Sequence, residues 1–219
     1  MPDLERTNVY IESLDEGNTE FLDELERTAL DDGVPIIRRS MQRFLKLMLQ
    51  MNKPSYILEV GTAVGFSSIL MAQYSNANIT TIEKYEKRIP VAIENFKKSG
   101  FEDRITFLKG DAAEILANLA EGVKNGSEKQ ADMIFMDAAK AQYINFLPDV
   151  MTILRTGGVL ITDNVLQDDT VIQSKYTVTR RDRTIHKRMR EYLFELMHNE
   201  CLTTDILQVG DGISVSVKK

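Results

Sequence analysis

Four acidic side chains stand where an alternating chain of strands and helices would end its strands. Glu83 closes the apolar run Ile79 to Ile82, Asp111 follows Ile105 to Lys109 in K-G-D-A, Asp137 follows Met133 to Met136 in F-M-D-A-A-K, and Asp163 follows Val159 to Thr162 in I-T-D-N. A lone acid after a strand commonly caps the next helix. Acids at successive strand ends point instead to one ligand-binding edge, because ligands of open α/β sheets occupy the crevice at the carboxyl ends of the strands. Asp137, Asp163 and Asn164 form a second set: two carboxylates and an amide oxygen are hard donors suited to Mg2+ or Ca2+, and they leave positions for water and substrate oxygens. They come from two strand ends, so spacing alone leaves their convergence open. Lys140, just after Asp137 in sequence, enters the same pocket if the turn there is helical and is otherwise a solvated surface lysine.

The stretch that would position these groups is Tyr56 to Ser67, Y-I-L-E-V-G-T-A-V-G-F-S. An apolar run carrying one carboxylate, Glu59, meets Gly61 and Gly65 and then a helical segment from Ser67 to Gln73. Glycines let a ligand approach the backbone, and the first helical N–H groups point outward unpaired. The spacing departs from G-x-G-x-x-G, which argues against a nicotinamide oxidoreductase. Glu83 lies roughly twenty residues past Gly61, where an acidic side chain commonly takes ribose hydroxyls. A nucleoside ligand is the reading; a plain tight turn with Glu83 capping a loop is the alternative.

Around this junction the patterns alternate. Helices are predicted over Asn18 to Asp32 and Ser40 to Met51, with Val34-Pro35 between them, since proline disfavours helix at the preceding residue. After the central strand come helix Lys87 to Ser99 ending at Gly100, helix Ala112 to Leu119, a polar loop Glu121 to Gln130, and helix Gln142 to Leu154. A last helix spans about Thr184 to Asn199, and a hairpin follows from Thr203 to Val217 around Gly210-Asp211-Gly212. The fold class is α/β and Rossmann-like: a mostly parallel sheet with helices on both faces. A helical N-terminal cap over 1–53 precedes a core over 54–219 within one domain, and the hairpin closes the chain.

Composition is that of an ordinary soluble protein of 219 residues, with no apolar run near the ~20 residues of a membrane span. The acidic N-terminus is unlike a signal peptide, and the single cysteine, Cys201, fits a reducing compartment; the expectation is cytoplasmic, with no membrane partner. Net charge is -6, yet Lys175 to Arg190 holds seven basic residues against Asp182 alone, a local +6 that suggests an anionic partner. Arg38, Arg39, Arg43 and Lys46 form a second basic group read as solubility or a subunit contact. His186 and His198 read as helix-face residues, Cys201 as a core or interface thiol, and Met41, Met48 and Met51 as packing.

Taken together, E-V-G-T-A-V-G-F-S, T-I-E-K, G-D-A, F-M-D-A-A-K-A-Q-Y and G-G-V-L-I-T-D-N-V-L resemble the cation-dependent O-methyltransferases that use S-adenosylmethionine, the group with catechol and caffeoyl-CoA enzymes. The resemblance runs from about Val34 to the hairpin. It implies that Glu59, Gly61 and Ser67 contact the methionine end of the cofactor, with Ile37 covering it. Glu83 would hold the ribose, and Asp111 and Ala112 would border the adenine. Asp137 would serve cofactor and metal, with Asp163 and Asn164 completing the protein ligands to Mg2+. Lys140 sits where the catechol enzymes have a general base. Ala139 replaces an aromatic residue found there in the catechol enzymes, which leaves room for a different or larger substrate.

Within the family, V-L-Q-D-D followed by T-R-R-D-R-T-I-H-K-R-M-R is most similar to the bacterial branch that methylates 5-hydroxyuridine at the wobble position of tRNA. This implies a tRNA anticodon partner held by Arg180, Arg181, Arg183, Lys187 and Arg188. A small-molecule methyltransferase of catechols or vicinal diols is the alternative, and a nucleotide- or RNA-binding module without catalysis a third. A homodimer is common among relatives.

Overall fold

The structure, a computed structural model, describes residues 4–166, 170–174 and 176–219; Gln167, Asp168, Asp169 and Lys175, on which the sequence reading drew, lie outside the described residues. Its sheet contains β1 (Tyr56–Val60), β2 (Asn78–Glu83), β3 (Ile105–Lys109), β4 (Ala131–Met136), β5 (Leu154–Thr162), β6 (Leu202–Leu207) and β7 (Ile213–Lys218). The order is β3-β2-β1-β4-β5-β7-β6. The first five strands run parallel, and β7 pairs antiparallel with both β5 and β6. The chain leaves β1 for β2 on one side and reaches β4 on the other, so a crevice opens beyond the end of β1.

Strand residues alternate between faces. Ile57, Met133, Phe135 and Ile161 face one core, built with α2 (Glu20–Asp31), α3 (Arg39–Asn52), α4 (Phe66–Tyr74) and α5 (Ile89–Ser99). Leu58, Val60, Ile134 and Leu160 face the other, built with α6 (Ala112–Asn125), α7 (Tyr143–Ile153) and α8 (Arg183–His198). The predicted N-terminal cap is therefore a covering layer on the first face, through Leu22, Leu25, Met41, Leu45 and Leu49. A further helix, α1 (Leu4–Ser13), precedes it and keeps Val9, Tyr10 and Ile11 exposed, which is why no buried stripe marked it in the sequence.

Several sequence expectations are corrected. The helix predicted to stop at Leu119 runs on to Asn125, because Leu116 and Ala120 continue its buried stripe and Gly126 supplies the left-handed cap that ends it. Strand β5 begins at Leu154, ahead of Val159, with an irregular register against β4. Arg39 pairs with Asp23 and Glu26, Arg43 with Asp15, and Lys46 donates to the Gly17 carbonyl, so these cations tie α3 to the chain before and within α2. Met51 is exposed rather than packed, Cys201 is exposed rather than in the core, and His186 is buried, with Nε2 3.1 Å from the Gln173 carbonyl. Among the described residues no helix is long and apolar enough to cross a membrane.

Asp132 anchors the amino ends of the central strands. It accepts from Ser55 N (2.8 Å), Ser55 Oγ (2.6 Å), Tyr56 N (2.9 Å) and Arg155 Nε (2.5 Å). Burial alone would raise its pKa, but hydrogen bonds from Ser55, Arg155 and Tyr56 outweigh it and hold the carboxyl well below its ordinary range. A depressed folded pKa contributes stability above the unfolded pKa and loses it as pH falls toward the folded value. Asp132→Asn should therefore cost about 1–3 kcal/mol at pH 7, with the deficit shrinking at pH 3. Urea denaturation at the two pH values measures it.

Candidate active site

The parallel register brings the strand ends into line. Val60 lies beside Ile82 and Met136, Ile82 beside Leu108, and Met136 beside Thr162. The residues that follow therefore emerge at one edge: Gly61, Glu83, Asp137 and Asp163. The ladder continues one step further, with Gly61 N donating to Ile82 O at 3.1 Å, Asp137 N to Val60 O at 2.9 Å and Asp163 N to Met136 O at 2.9 Å. Gly61 has φ +108°, and a Cβ there would sit 2.0 Å from the Asp137 carbonyl oxygen. Only glycine lets β1 turn away while β4 presses against the turn.

Beyond this edge lies a cavity of about 870 Å3. Ile37, Gly61, Ser67, Glu83, Asp111 and Ala112 line it together with Asp137, Lys140, Asp163 and Asn164. Glu83 is fixed by three backbone donors: Ala63 N (2.9 Å) on one oxygen, and Lys84 N (2.9 Å) and Tyr85 N (2.8 Å) on the other. A carboxylate has about four lone-pair sites, so acceptor capacity remains for a hydroxyl in the cavity. Asp111 is the N-cap of α6, accepting from Ala113 N at 2.9 Å, and pairs with Lys84 at 3.1 Å. The Ala113 hydrogen bond, and then Lys84, lower its pKa.

Glu59 is the one predicted cofactor residue outside the cavity wall. Strand alternation turns it toward α4, where it is fully buried and accepts hydrogen bonds from Ser67 Oγ, Ser68 Oγ and Thr81 Oγ1. Thr62 and Thr81 hydroxyls lie 2.6 Å apart and extend the network to the glycine turn. Desolvation pushes the Glu59 pKa to about 7 against these hydrogen bonds, with the charge of Asp137 adding to the rise. Glu59 thus reaches the cavity through Ser67, by holding the start of α4 on β1.

At the other end, Asp137 and Asp163 carry the strain of two acids at one site. Burial raises Asp137 to about 6, with Lys140 opposing, and burial together with the Asp137 charge raises Asp163 to about 7. Lys140 opens a short 3-10 turn, Lys140–Gln142, that leads into α7. Asn164 adopts a left-handed φ of 55° and donates its backbone N–H to Asp163 Oδ1 at 2.7 Å. Asn tolerates this conformation better than most residues. Among the described residues no three His, Cys, Asp or Glu side chains form a metal cluster. The donor chemistry of two carboxylates and an amide oxygen nonetheless fits a hard divalent cation, which would relieve the acid–acid repulsion.

Sequence reasoning missed Asp211 and Arg38, both on the cavity wall and paired at 2.6 Å. Asp211 sits between two glycines and reads as an ordinary turn residue; only the antiparallel pairing of β7 on β5 brings it here. In the basic segment, Arg180, Arg181, Arg183 and Lys187 are exposed. Arg188 instead donates to the Ala141 carbonyl at 3.0 Å, fastening α8 to the turn that carries Lys140. Lys187 lies 3.6 Å from Glu191.

The sheet order, the glycine turn at its switch point and the acids along one edge define a Rossmann-like α/β protein with a cavity at the carboxyl ends of its strands beside paired carboxylates. The O-methyltransferase family model matches residues 12–219, and the chain belongs to that family. A catechol O-methyltransferase of Niastella koreensis is 30% identical over 196 residues, covering 85% of this chain and 85% of that protein. A solved Staphylococcus aureus structure, provisionally assigned as a caffeoyl-CoA O-methyltransferase, superposes with TM-score 0.86 at 32% identity, over 99% of this chain and 100% of that one. A Podospora anserina methyltransferase bound to SAH gives TM-score 0.84 at 25% identity, over 99% of this chain and 95% of that one.

The Glu59 network makes a pH-dependent prediction. A carboxyl whose folded pKa is raised contributes stability that is complete below the unfolded value and lost as pH rises through the folded one. Gln does not titrate, so the stability of the wild type relative to Glu59→Gln should fall between pH 5 and pH 8, by up to about 3 kcal/mol. Denaturant titrations of both proteins across that window test this.

Proposed function

We propose that this chain is an S-adenosylmethionine- and divalent-cation-dependent O-methyltransferase that converts 5-hydroxyuridine to 5-methoxyuridine at the wobble position of tRNA. The observation that carries the methyl-transfer reading is that one cavity joins a nucleoside-type end, Gly61 and Glu83, to the oxygen donors Asp137, Asp163 and Asn164. When bound, S-adenosylmethionine supplies an electrophilic methyl group and the cation supplies positive charge against two adjacent substrate oxygens. Asp137, Asp163 and Asn164 are the residues that would hold the cation. Glu83 would accept from ribose hydroxyls, and Ser67 and Ile37 would line the methionine end. Lys140, in its free-amine form, would take the proton from the hydroxyl to be methylated. The new bond forms between that oxygen and the methyl carbon as the carbon–sulfur bond breaks, so holding the reacting atoms in line is the main task.

Two observations support a tRNA substrate. The turn carrying Lys140 is fastened by Arg188 to α8, whose exposed face displays Arg183, Lys187 and Arg190. A groove of about 580 Å3 runs beside these residues and Tyr176, an aromatic that is 78% exposed. Cations contact phosphates and aromatic faces stack on unpaired bases. In 5-hydroxyuridine the 5-hydroxyl adjoins the C4 carbonyl, a pair of oxygens comparable to those of a catechol. A small-molecule diol is the second reading, favoured by the likeness to the Niastella koreensis catechol enzyme.

Nucleoside mass spectrometry of tRNA from a strain lacking the gene, with in vitro methylation by purified protein, separates the two. Loss of 5-methoxyuridine, accumulation of 5-hydroxyuridine and Mg2+-dependent restoration are expected. Lys140→Met should lower kcat on that tRNA by about 10²–10⁴-fold. Replacing Arg180, Arg181 and Arg183 together with Ala should raise KM for tRNA while leaving methylation of a free catechol unchanged. Unaltered tRNA in the deletion strain, with methylation of free catechol alone, would overturn the tRNA substrate.

A further inference from the structure

Asn164 has a symmetric-looking amide that can turn either its oxygen or its nitrogen toward the cavity, and only the oxygen can serve a cation. The neighbour that decides this comes from the far end of the chain. Asp211 Oδ2 lies 3.3 Å from Asn164 Nδ2, while Asp211 Oδ1 is engaged by Arg38 at 2.6 Å. A carboxylate only accepts, so it draws the NH2 group and leaves the amide oxygen for the cavity. The hairpin turn is held for this purpose by backbone bonds to the segment after β5: Val165 N donates to Gly212 O at 2.8 Å and Leu166 N to Asp211 O at 3.0 Å. Gly212, at φ +80°, has no room for a side chain, since a Cβ would lie 2.3 Å from Leu166 Cγ. The left-handed backbone at Asn164 completes the arrangement by giving its N–H to Asp163.

We propose that Asp211 is a positioning residue: by accepting the Asn164 amide N–H it presents the Asn164 carbonyl oxygen to a divalent cation held with Asp137 and Asp163. The claim rests on the metal-dependent reading above. Outer carboxylates that orient a metal ligand typically change metal affinity by about 10–100-fold when removed. Arg38, from the loop that also contributes Ile37 to the cavity wall, holds the second oxygen and stops the carboxylate from turning away.

The test is Mn2+ binding to the purified full chain, followed by electron paramagnetic resonance of the free ion, with S-adenosylhomocysteine affinity as a check on folding. Asp211→Ala should weaken Mn2+ binding about 10–100-fold with little change in S-adenosylhomocysteine affinity. Asp211→Asn, whose amide oxygen still accepts from Asn164, should keep most of the affinity; if Asp211→Ala does not fold, Asp211→Leu, close in size and without an acceptor, makes the same comparison. Equal Mn2+ affinity in wild type and Asp211→Ala would overturn the positioning role alone. So would an Asp211→Asn loss as large as that of Asp211→Ala, because charge rather than orientation would then matter. Absence of Mn2+ binding by the wild type would overturn the metal reading and this role with it.

Discussion

The close approach of the Asp137 carbonyl to Gly61 is the constraint on which the rest of the site depends. A side chain at Gly61 would occupy the space of that carbonyl, so β1 and β4 can end in register only with glycine there. That register sets Gly61 beside Asp137, and the neighbouring pairs set Glu83 and Asp163 along the same line. One backbone contact at the centre of the sheet therefore joins the part of the cavity with Gly61 and Glu83 to the part that gathers Asp137 and Asp163. Asp137 stands at the junction.

Charge is distributed to match. Glu59 is kept under the cavity floor with hydroxyl donors, so its carboxyl is engaged from all sides and the helix start is held in place. Asp137 and Asp163 have fewer donors; burial raises their pKa values to about 6 and about 7, with the Asp137 charge adding to the rise of Asp163. Two such acids buried together, with Lys140 only partly offsetting their charge, are an unfavourable arrangement for folding alone. Strain of this kind concentrates at functional sites, where a ligand relieves it.

Much of this was legible in the sequence, and the failures have physical reasons. The central strands were readable because each is a short apolar run closed by an acid or glycine. The acids could be counted, but their convergence needed the register, which spacing does not contain. Glu59 reads as a cofactor contact only through the family resemblance. Only the alternation of β1 shows that it faces α4 rather than the cavity. Asp111 is both cap and wall, so neither simple reading was complete. Asp211 gave no signal, since a Gly-Asp-Gly turn needs no further explanation until β7 is known to pair with β5. The cations at and before the start of α3 read as solubility or a subunit contact, whereas Arg39 and Arg43 meet acids in or before α2 and Arg38 meets Asp211 across the chain.

On the proposed function, one cavity takes a nucleoside methyl donor and a divalent cation side by side. A crystal structure with S-adenosylhomocysteine and Mn2+, using anomalous scattering to locate the metal, tests it most directly. The prediction is a single Mn2+ peak bonded to oxygens of Asp137, Asp163 and Asn164, with the ribose hydroxyls against Glu83. A nucleoside bound in the cavity with no Mn2+ at those three residues, or Mn2+ bound at other side chains, would contradict it.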